Sequence, residues 1–453
     1  MSLSIIILAA GQGTRMYSDI PKVLHPLAGK PLLEHVFNTA SALPYSNIHI
    51  VYGFGGEAVP DQMKHLPVHW IEQREQLGTG HAVAQVMPDI PVEDLVLILC
   101  GDIPLITTDT LQPLVDAAGE TGFSLLTVDL DDPAGYGRIV RDAGKRITRI
   151  VEEKDASRQE RATREVNTGM MVVVAASLQR WIKALGNDNA QKEYYLTDIV
   201  SLAVAEGVKI RTISAESAFE VKGINTRAHL AEAERYFQLV QAHHLMRHGV
   251  TLLDPSRFDL RGDLEVGRDT VFDINVLLEG RIKLGNHVSI GANCCIRDTM
   301  IADDVTILPN CVIENAIIGR HCRIGPFSRI RPDTILDDDV HIGNFVEVKK
   351  TDVGTGTKIN HLSYIGDSEI GREVNIGAGT ITCNFDGANK HKTIIEDDVF
   401  VGSDVQLVAP VRVGAGATIA AGTTVTRDVK AGSLAISRVA QKTRSGWKRP
   451  NKG

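Results

Sequence analysis

Three groups of residues in this sequence have the types and spacing for chemistry. The first is Leu8-Ala9-Ala10-Gly11-Gln12-Gly13-Thr14-Arg15-Met16, with Pro21-Lys22 close behind. Glycines at a strand-to-helix turn let backbone N–H groups approach phosphate oxygens with no Cβ in the way. Arg15 and Lys22 add positive charge where a triphosphate would lie. The pattern is not a Walker Gly-Lys-Ser/Thr loop, nor a dinucleotide Gly-x-Gly-x-x-Gly, since Met16 takes the place of the third glycine. The second group, Leu99-Cys100-Gly101-Asp102, puts a carboxylate at the tip of an apolar run. An acid there suits Mg²⁺, which favours few carboxylates plus phosphate oxygens. The third is His361, in Asn360-His361-Leu362-Ser363-Tyr364, followed by a polar stretch at 380–390 that includes Asn384. Histidine titrates at about 6.5 and suits proton transfer.

These residues need elements to position them. In the first half, short β-rich runs at 5–8, 48–52 and 95–99 alternate with helical stretches at 31–43 and 79–86. That alternation predicts a Rossmann-like α/β domain, a mixed, mostly parallel sheet with helices on both faces. Ligands of such sheets lie at the carboxyl ends of the strands, where Gly11 and Asp102 fall. From about 226 to 248 the pattern is helical, with Leu230, Ala233, Phe237, Val240 and Leu245 three to five residues apart and Gly249 as a stop. One long helix there joins two domains, giving divisions at 1–227, 228–248 and 249–453.

Beyond it, aliphatic residues recur every six positions: Ile318, Ile324, Ile330, Leu336, Ile342, Val348, then Val353, Ile359, Ile365, then Ile370, Ile376, and finally Ile395 through Val425. A period of six fits neither a helix nor a meander, so it describes a coil with short strands as sides and the aliphatics pointing inward. Glycine after the aliphatic, as at Gly319, Gly343, Gly377 and Gly414, is expected where the chain turns between sides. The register breaks between Ile376 and Ile395, and a loop thrown out of a regular coil is where function concentrates.

Composition sets limits. At 453 residues, two or more domains are expected, and 43% hydrophobic with 23% charged residues is ordinary for a globular protein. A net charge of −8 argues against nucleic acid or membrane as partner. The basic stretch 442–452, with Lys442, Arg444, Trp447, Lys448 and Arg449, fits either a solvated tail or contact with a phosphorylated ligand. Six cysteines without paired spacing imply no disulfide framework and act mostly as small apolar fillers, which fits the cytoplasm. The apolar start runs straight into the glycine turn and reads as a buried strand, not a signal peptide.

The start resembles the sugar nucleotidyltransferase signature Leu-x-x-Gly-x-Gly-Thr-x-Met…Pro-Lys. Together with the hexapeptide coil, the chain resembles end to end the bifunctional N-acetylglucosamine-1-phosphate uridylyltransferase/glucosamine-1-phosphate N-acetyltransferases. Gln73, Leu77-Gly78-Thr79-Gly80, Gly135-Tyr136-Gly137-Arg138, Val151-Glu152, Val166-Asn167-Thr168-Gly169 and Gly223-Ile224-Asn225 carry the match onward. The resemblance implies that Leu8, Ala9, Ala10, Gly11, Gln73, Gly78 and Thr79 hold the uridine of UTP, and that Arg15 and Lys22 act on its phosphates. It assigns Cys100 and Gly101 to the nucleotide site, Gly137, Glu152 and Asn167 to N-acetylglucosamine, and Asp102 and Asn225 to Mg²⁺.

In the coil it implies His361 as the base for acetyl transfer from acetyl-CoA. Arg331 and Lys349 would face the phosphate of glucosamine 1-phosphate, and Tyr364 and Asn375 its sugar. Ala378, Asn384, Phe385, Ser403, Ala421 and Arg438 would line the acetyl-CoA path. Relatives often carry Tyr where this chain has Cys100 and Phe385, so any hydroxyl contact at those positions is lost. A left-handed parallel β-helix, a homotrimer, and a product that feeds peptidoglycan and lipopolysaccharide also come with the resemblance. Two rivals stand beside this reading: a single-function sugar-1-phosphate nucleotidyltransferase whose β-helix serves assembly or regulation, and a non-enzymatic nucleotide sensor on a scaffold.

Overall fold

The computed structural model describes residues 1–437 and 439–449. Its contacts divide the chain into two compact units, Met1–Phe237 and Gln238–Gly453.

The first unit is built on a nine-stranded sheet. Its strands are β1 (Leu3–Leu8), β2 (Asn47–Tyr52), β3 (His69–Glu72), β4 (Leu95–Cys100), β5 (Phe123–Asp129), β6 (Arg138–Arg141), β7 (Ile147–Val151), β8 (Glu165–Val174) and β9 (Arg211–Ser214). The order is β9-β5-β8-β4-β1-β2-β3, with the β6–β7 hairpin attached to β8. All main pairings are parallel except those of β8, which runs antiparallel to β4 and β5. Side chains alternate across the sheet. Ile5, Ile7, Leu97 and Leu99 enter one core with helices α1 (Leu32–Ser41) and α3 (Thr108–Thr121). Ile6, Val96 and Ile98 enter the other with α2 (Thr79–Val86) and α4 (Ala175–Ala184). Each fully buried aliphatic contributes roughly 1.5–3 kcal/mol, so the sheet is a rigid platform for the loops at its edge.

Helix α5 spans Arg227–Arg247. Ala233 and Leu245 are buried, but Val240, expected on the same face, is 48% exposed. The inward position next to it is taken by Gln238, whose side-chain amide accepts from the Leu260 N–H at 2.8 Å and donates to the Leu260 carbonyl at 2.9 Å. A polar residue thus replaces the apolar stripe where one unit gives way to the next.

The second unit is a parallel β-helix with sheets of 11 and 15 strands. Successive rungs pair Ser289 with Thr306, Thr306 with Arg323, Arg323 with His341, His341 with Lys358, and Lys358 with Asn375, intervals of 17 or 18 residues. Every aliphatic of the six-residue series is buried, from Ile318 through Val425. Left-handed backbone marks the corners, at glycines and, among the other residues, most often at Asn and Asp, which tolerate it (Asn293, Asn310, Asp298, Asp333, Asp339). The glycines after the aliphatics therefore have a different role from the expected turn. Gly319, Gly343, Gly377 and Gly414 do not have positive φ. A Cβ on Gly377 would come within 2.5 Å of the Gly402 backbone and one on Gly319 within 2.6 Å of the Asp337 backbone. They are glycine because adjacent coils touch there.

Candidate active sites

In the first unit, β1 and β4 are adjacent and in register, so Leu8 lies beside Cys100. The loops leaving them are fastened by the Gly101 N–H donating to the Leu8 carbonyl at 2.9 Å. Around this edge is a cavity of about 530 Å³ lined by Leu8, Ala9, Ala10, Gly11, Lys22, Gln73, Gly78, Thr79, Cys100 and Asp102, among others. A second cavity of about 220 Å³ adjoins it, lined by Gly137, Glu152, Asn167 and Thr197, and shares Leu8, Thr79 and Cys100 as a wall. Cys100 stands where the two lobes meet, its thiol pushed up to about 12 by burial and then by Asp102. It is neutral and unreactive there, a small filler at a junction.

Gln73 is buried, and its NH₂ group is within reach of the Gly78 carbonyl (3.1 Å) and His81 Nδ1 (3.0 Å). Its amide oxygen is the part left for a ligand. Thr197 donates to Glu152 Oε1, and burial raises the Glu152 pKa. Asn167 lines the same lobe, precedes an irregularity in β8 between Asn167 and Met171, and accepts from the Gly169 N–H on its Oδ1 at 3.2 Å.

The cationic residues part company. Gly13 has φ of +61°, and a Cβ on it would lie 2.7 Å from Lys22 Cβ, so the glycine lets the Lys22 segment pack close. Lys22 Nζ then reaches Asp102 Oδ2 at 2.5 Å and Asn225 Oδ1 at 3.2 Å. Asn225 is held near by the Ile224 N–H donating to the Asp102 carbonyl at 2.9 Å. One carboxylate and one amide oxygen thus gather round a single cation, a donor set that fits Mg²⁺. Arg15, on the turn Thr14–Met16, is exposed and lies outside the lining of both lobes.

In the second unit the rung from Asn375 to Phe400 takes 25 residues, because the loop at 384–391 is inserted there. His361, Ala378, Ser403 and Ala421 each immediately precede a left-handed corner residue: Leu362, Gly379, Asp404 and Gly422. Backbone bonds stack those corners, Gly379 N–H to His361 O, Asp404 N–H to Ala378 O, and Gly422 N–H to Ser403 O. The four residues therefore form one column, an exposed imidazole continued by three small side chains.

A second cluster surrounds Asp367. Its carboxylate accepts from Asn384 Nδ2 at 2.5 Å and lies 3.7 Å from Lys349 Nζ, while Asn384 Nδ2 is 3.4 Å from the Tyr364 hydroxyl. Arg331 pairs with Glu347 at 2.8 Å. Asn375 is in the rung between Lys358 and Phe400, in the 11-stranded sheet, whereas Lys349, Tyr364 and Asp367 are in the 15-stranded one. Phe385 is 59% exposed on the inserted loop. Arg438 lies outside the described residues. Sequence reasoning missed Asp367 and Lys390. The Lys390 pKa is lowered, first by its contact with Lys349, so two ammonium groups face one another. The coil interval was the available signal, since residue 367 plus one 17-residue turn is Asn384.

Residues 5–194 match the MobA-like NTP transferase domain, 261–354 the GMPPB C-terminal domain, and 392–427 the bacterial transferase hexapeptide (six repeats) family. The coil is the left-handed β-helix of such repeats. Bifunctional protein GlmU of Methylococcus capsulatus is 58% identical over 453 residues, covering all of this chain and 98% of that protein. The GlmU proteins of an Azoarcus species and of Aromatoleum aromaticum are 54% and 55% identical over 450 residues, 99% of this chain and 100% and 99% of theirs. Full-length similarity to bifunctional proteins disfavours a β-helix used only for assembly. The chain belongs to the bifunctional GlmU family, with a uridylyltransferase and an acetyltransferase on one polypeptide.

Proposed function

We propose that the chain acetylates glucosamine 1-phosphate from acetyl-CoA and then joins the product to UTP, releasing pyrophosphate and forming UDP-N-acetylglucosamine. Residues 1–227 would serve the second step and 249–453 the first, with 228–248 as linker. The observation that carries the uridylyl half is the two-lobed cavity joined at Leu8, Thr79 and Cys100, one lobe beside the phosphate loop. Uracil offers its N3–H to the oxygen of Gln73, where cytosine carries an acceptor nitrogen. Glu152 and Asn167 hold the sugar. An oxygen of the sugar 1-phosphate attacks the α-phosphorus in line as the bond to pyrophosphate breaks. Positioning and charge neutralisation, from Lys22 and with Arg15 closing in, do most of this work. Mg²⁺ held by Asp102 and Asn225 supplies charge neutralisation on the phosphates.

The column carries the acetyl half. His361 accepts a proton from the sugar amine as its nitrogen attacks the thioester carbonyl, and the C–S bond breaks to release coenzyme A. Ala378, Ser403 and Ala421 leave room along the corner for the pantetheine arm, with Asn384 and Phe385 at the inserted loop and Arg438 beyond. Arg331, Lys349 and Lys390 meet the phosphate, and Tyr364 and Asn375 the sugar. The same corner exposes Phe327, Phe345 and Leu362, at 49%, 54% and 63%, with the two rings stacked at 5.3 Å. That apolar strip supports a homotrimer with sites between coils. Six free cysteines fit the cytoplasm, and no described helix is long and apolar enough to cross a membrane.

The test is a coupled assay with glucosamine 1-phosphate, acetyl-CoA, UTP and Mg²⁺, identifying the product of each step. His361→Ala should lose acetyl transfer by roughly 10²–10⁴-fold and keep uridylyl transfer. Asp102→Ala should do the reverse. Equal loss of both activities in either variant would refute two independent sites.

A further inference from the structure

The ammonium of Lys22 sits between two oxygens that the proposed function gives to a metal. Both partners of the pair are poorly hydrated, with the Lys22 and Asp102 side chains 13% and 19% exposed. A carboxylate in such a place is costly without a countercharge. Asn225 is also oriented: its Nδ2 donates to the Gly223 carbonyl at 3.3 Å, which leaves its oxygen turned toward Lys22. The base of the lysine packs against Gly13, and the residue lines the same cavity as Gly11 and Thr14. A four-carbon stem anchored at one end can carry its charge from one anion to another.

We propose that Lys22 is a resident cation that fills the metal position until a nucleotide arrives, so that divalent metal and triphosphate load together. This rests on the reading of Asp102 and Asn225 as the Mg²⁺ ligands. In the empty site Lys22 neutralises Asp102. A divalent ion entering alone would have to displace that ammonium with no phosphate to receive it. Triphosphate supplies that anion: Lys22 moves onto the phosphate oxygens, and Asp102 and Asn225 pass to the metal. By linkage, each ligand then tightens the other.

The test is a Mn²⁺ titration of the full chain, followed by the electron paramagnetic resonance signal of the free ion, with and without UTP. Wild type should bind Mn²⁺ weakly alone and at least tenfold more tightly with UTP. Lys22→Met, or Lys22→Gln should the first fail to fold, should raise the affinity without UTP at least tenfold. That gain should vanish in Lys22→Met/Asp102→Asn. Arg180→Met, which removes an exposed charge of α4 that lines neither lobe, should stay within twofold of wild type. Equal Mn²⁺ affinity of wild type and both Lys22 variants, with Asp102-dependent binding still promoted by UTP, would overturn the resident-cation role and leave the metal assignment standing. UTP-promoted binding that survives Asp102→Asn would overturn the metal assignment, and this inference with it.

Discussion

Thr197 donates its hydroxyl to Glu152 Oε1 at 2.9 Å, inside the lobe that also holds Asn167. Burial raises the Glu152 pKa above its ordinary 4.5 despite that bond. Below 4.5 the carboxyl is protonated folded or unfolded. As pH rises through the raised folded value, the unfolded chain ionises first and the native state loses stability. Glu152→Gln should therefore melt higher than wild type at pH 7, with the gap closing toward pH 4, while the KM for the sugar 1-phosphate rises about tenfold. Thermal melts across pH and steady-state kinetics check both.

The column above His361 leads to a steric prediction. Ser403→Leu should fill the space between Ala378 and Ala421 and raise the KM for acetyl-CoA by about tenfold or more, with the KM for glucosamine 1-phosphate and all uridylyl transfer unchanged. Initial rates with each substrate varied in turn decide it.

Gly377→Ala should destabilise the coil by about 1–3 kcal/mol, because the added Cβ meets the Gly402 backbone at 2.5 Å. Gly416→Ala places its Cβ in open space but at φ of 66°, so its cost is backbone strain alone, about 1 kcal/mol. Denaturant melts of the two variants separate coil contact from corner conformation.

His49 is buried in β2 with no hydrogen-bond partner for either ring nitrogen among the described residues, its ring 5.0 Å from that of His69. Burial, then His69, lowers its pKa below 6.5. The unfolded chain takes up the proton first as pH falls through 6.5, so this site costs stability below that pH. His49→Leu should flatten the acid limb of the stability curve between about pH 6.5 and 5, read by urea melts at several pH values.

The sequence made legible whatever depends on period and on local chain. Ile324, Ile342 and Val401 declared the coil, and the gap after Ile376 declared the loop, because burial every sixth residue leaves a one-dimensional trace. The glycine turn and Asp102 were legible because strand ends in such sheets are where ligands bind. Contacts made across coils were not. Asp367 and Asn384 are neighbours only once the length of a turn is known, and Lys390 reaches Lys349 from the inserted loop, whose path no period describes. Glycine was misread for the same reason: its partner at Gly402 is remote in sequence. Val240 misled because a single helical stripe was assumed where Gln238 is the inward residue.

Asn375 and Phe400 pair as regularly as rungs with no insertion between them. The extra residues leave at one corner and return without displacing the next turn, so the inserted loop behaves as an interchangeable module. Its length and composition can drift under selection for a different acyl donor or acceptor while the shaft below and above keeps its geometry, giving new specificity a route that never passes through an unfolded coil.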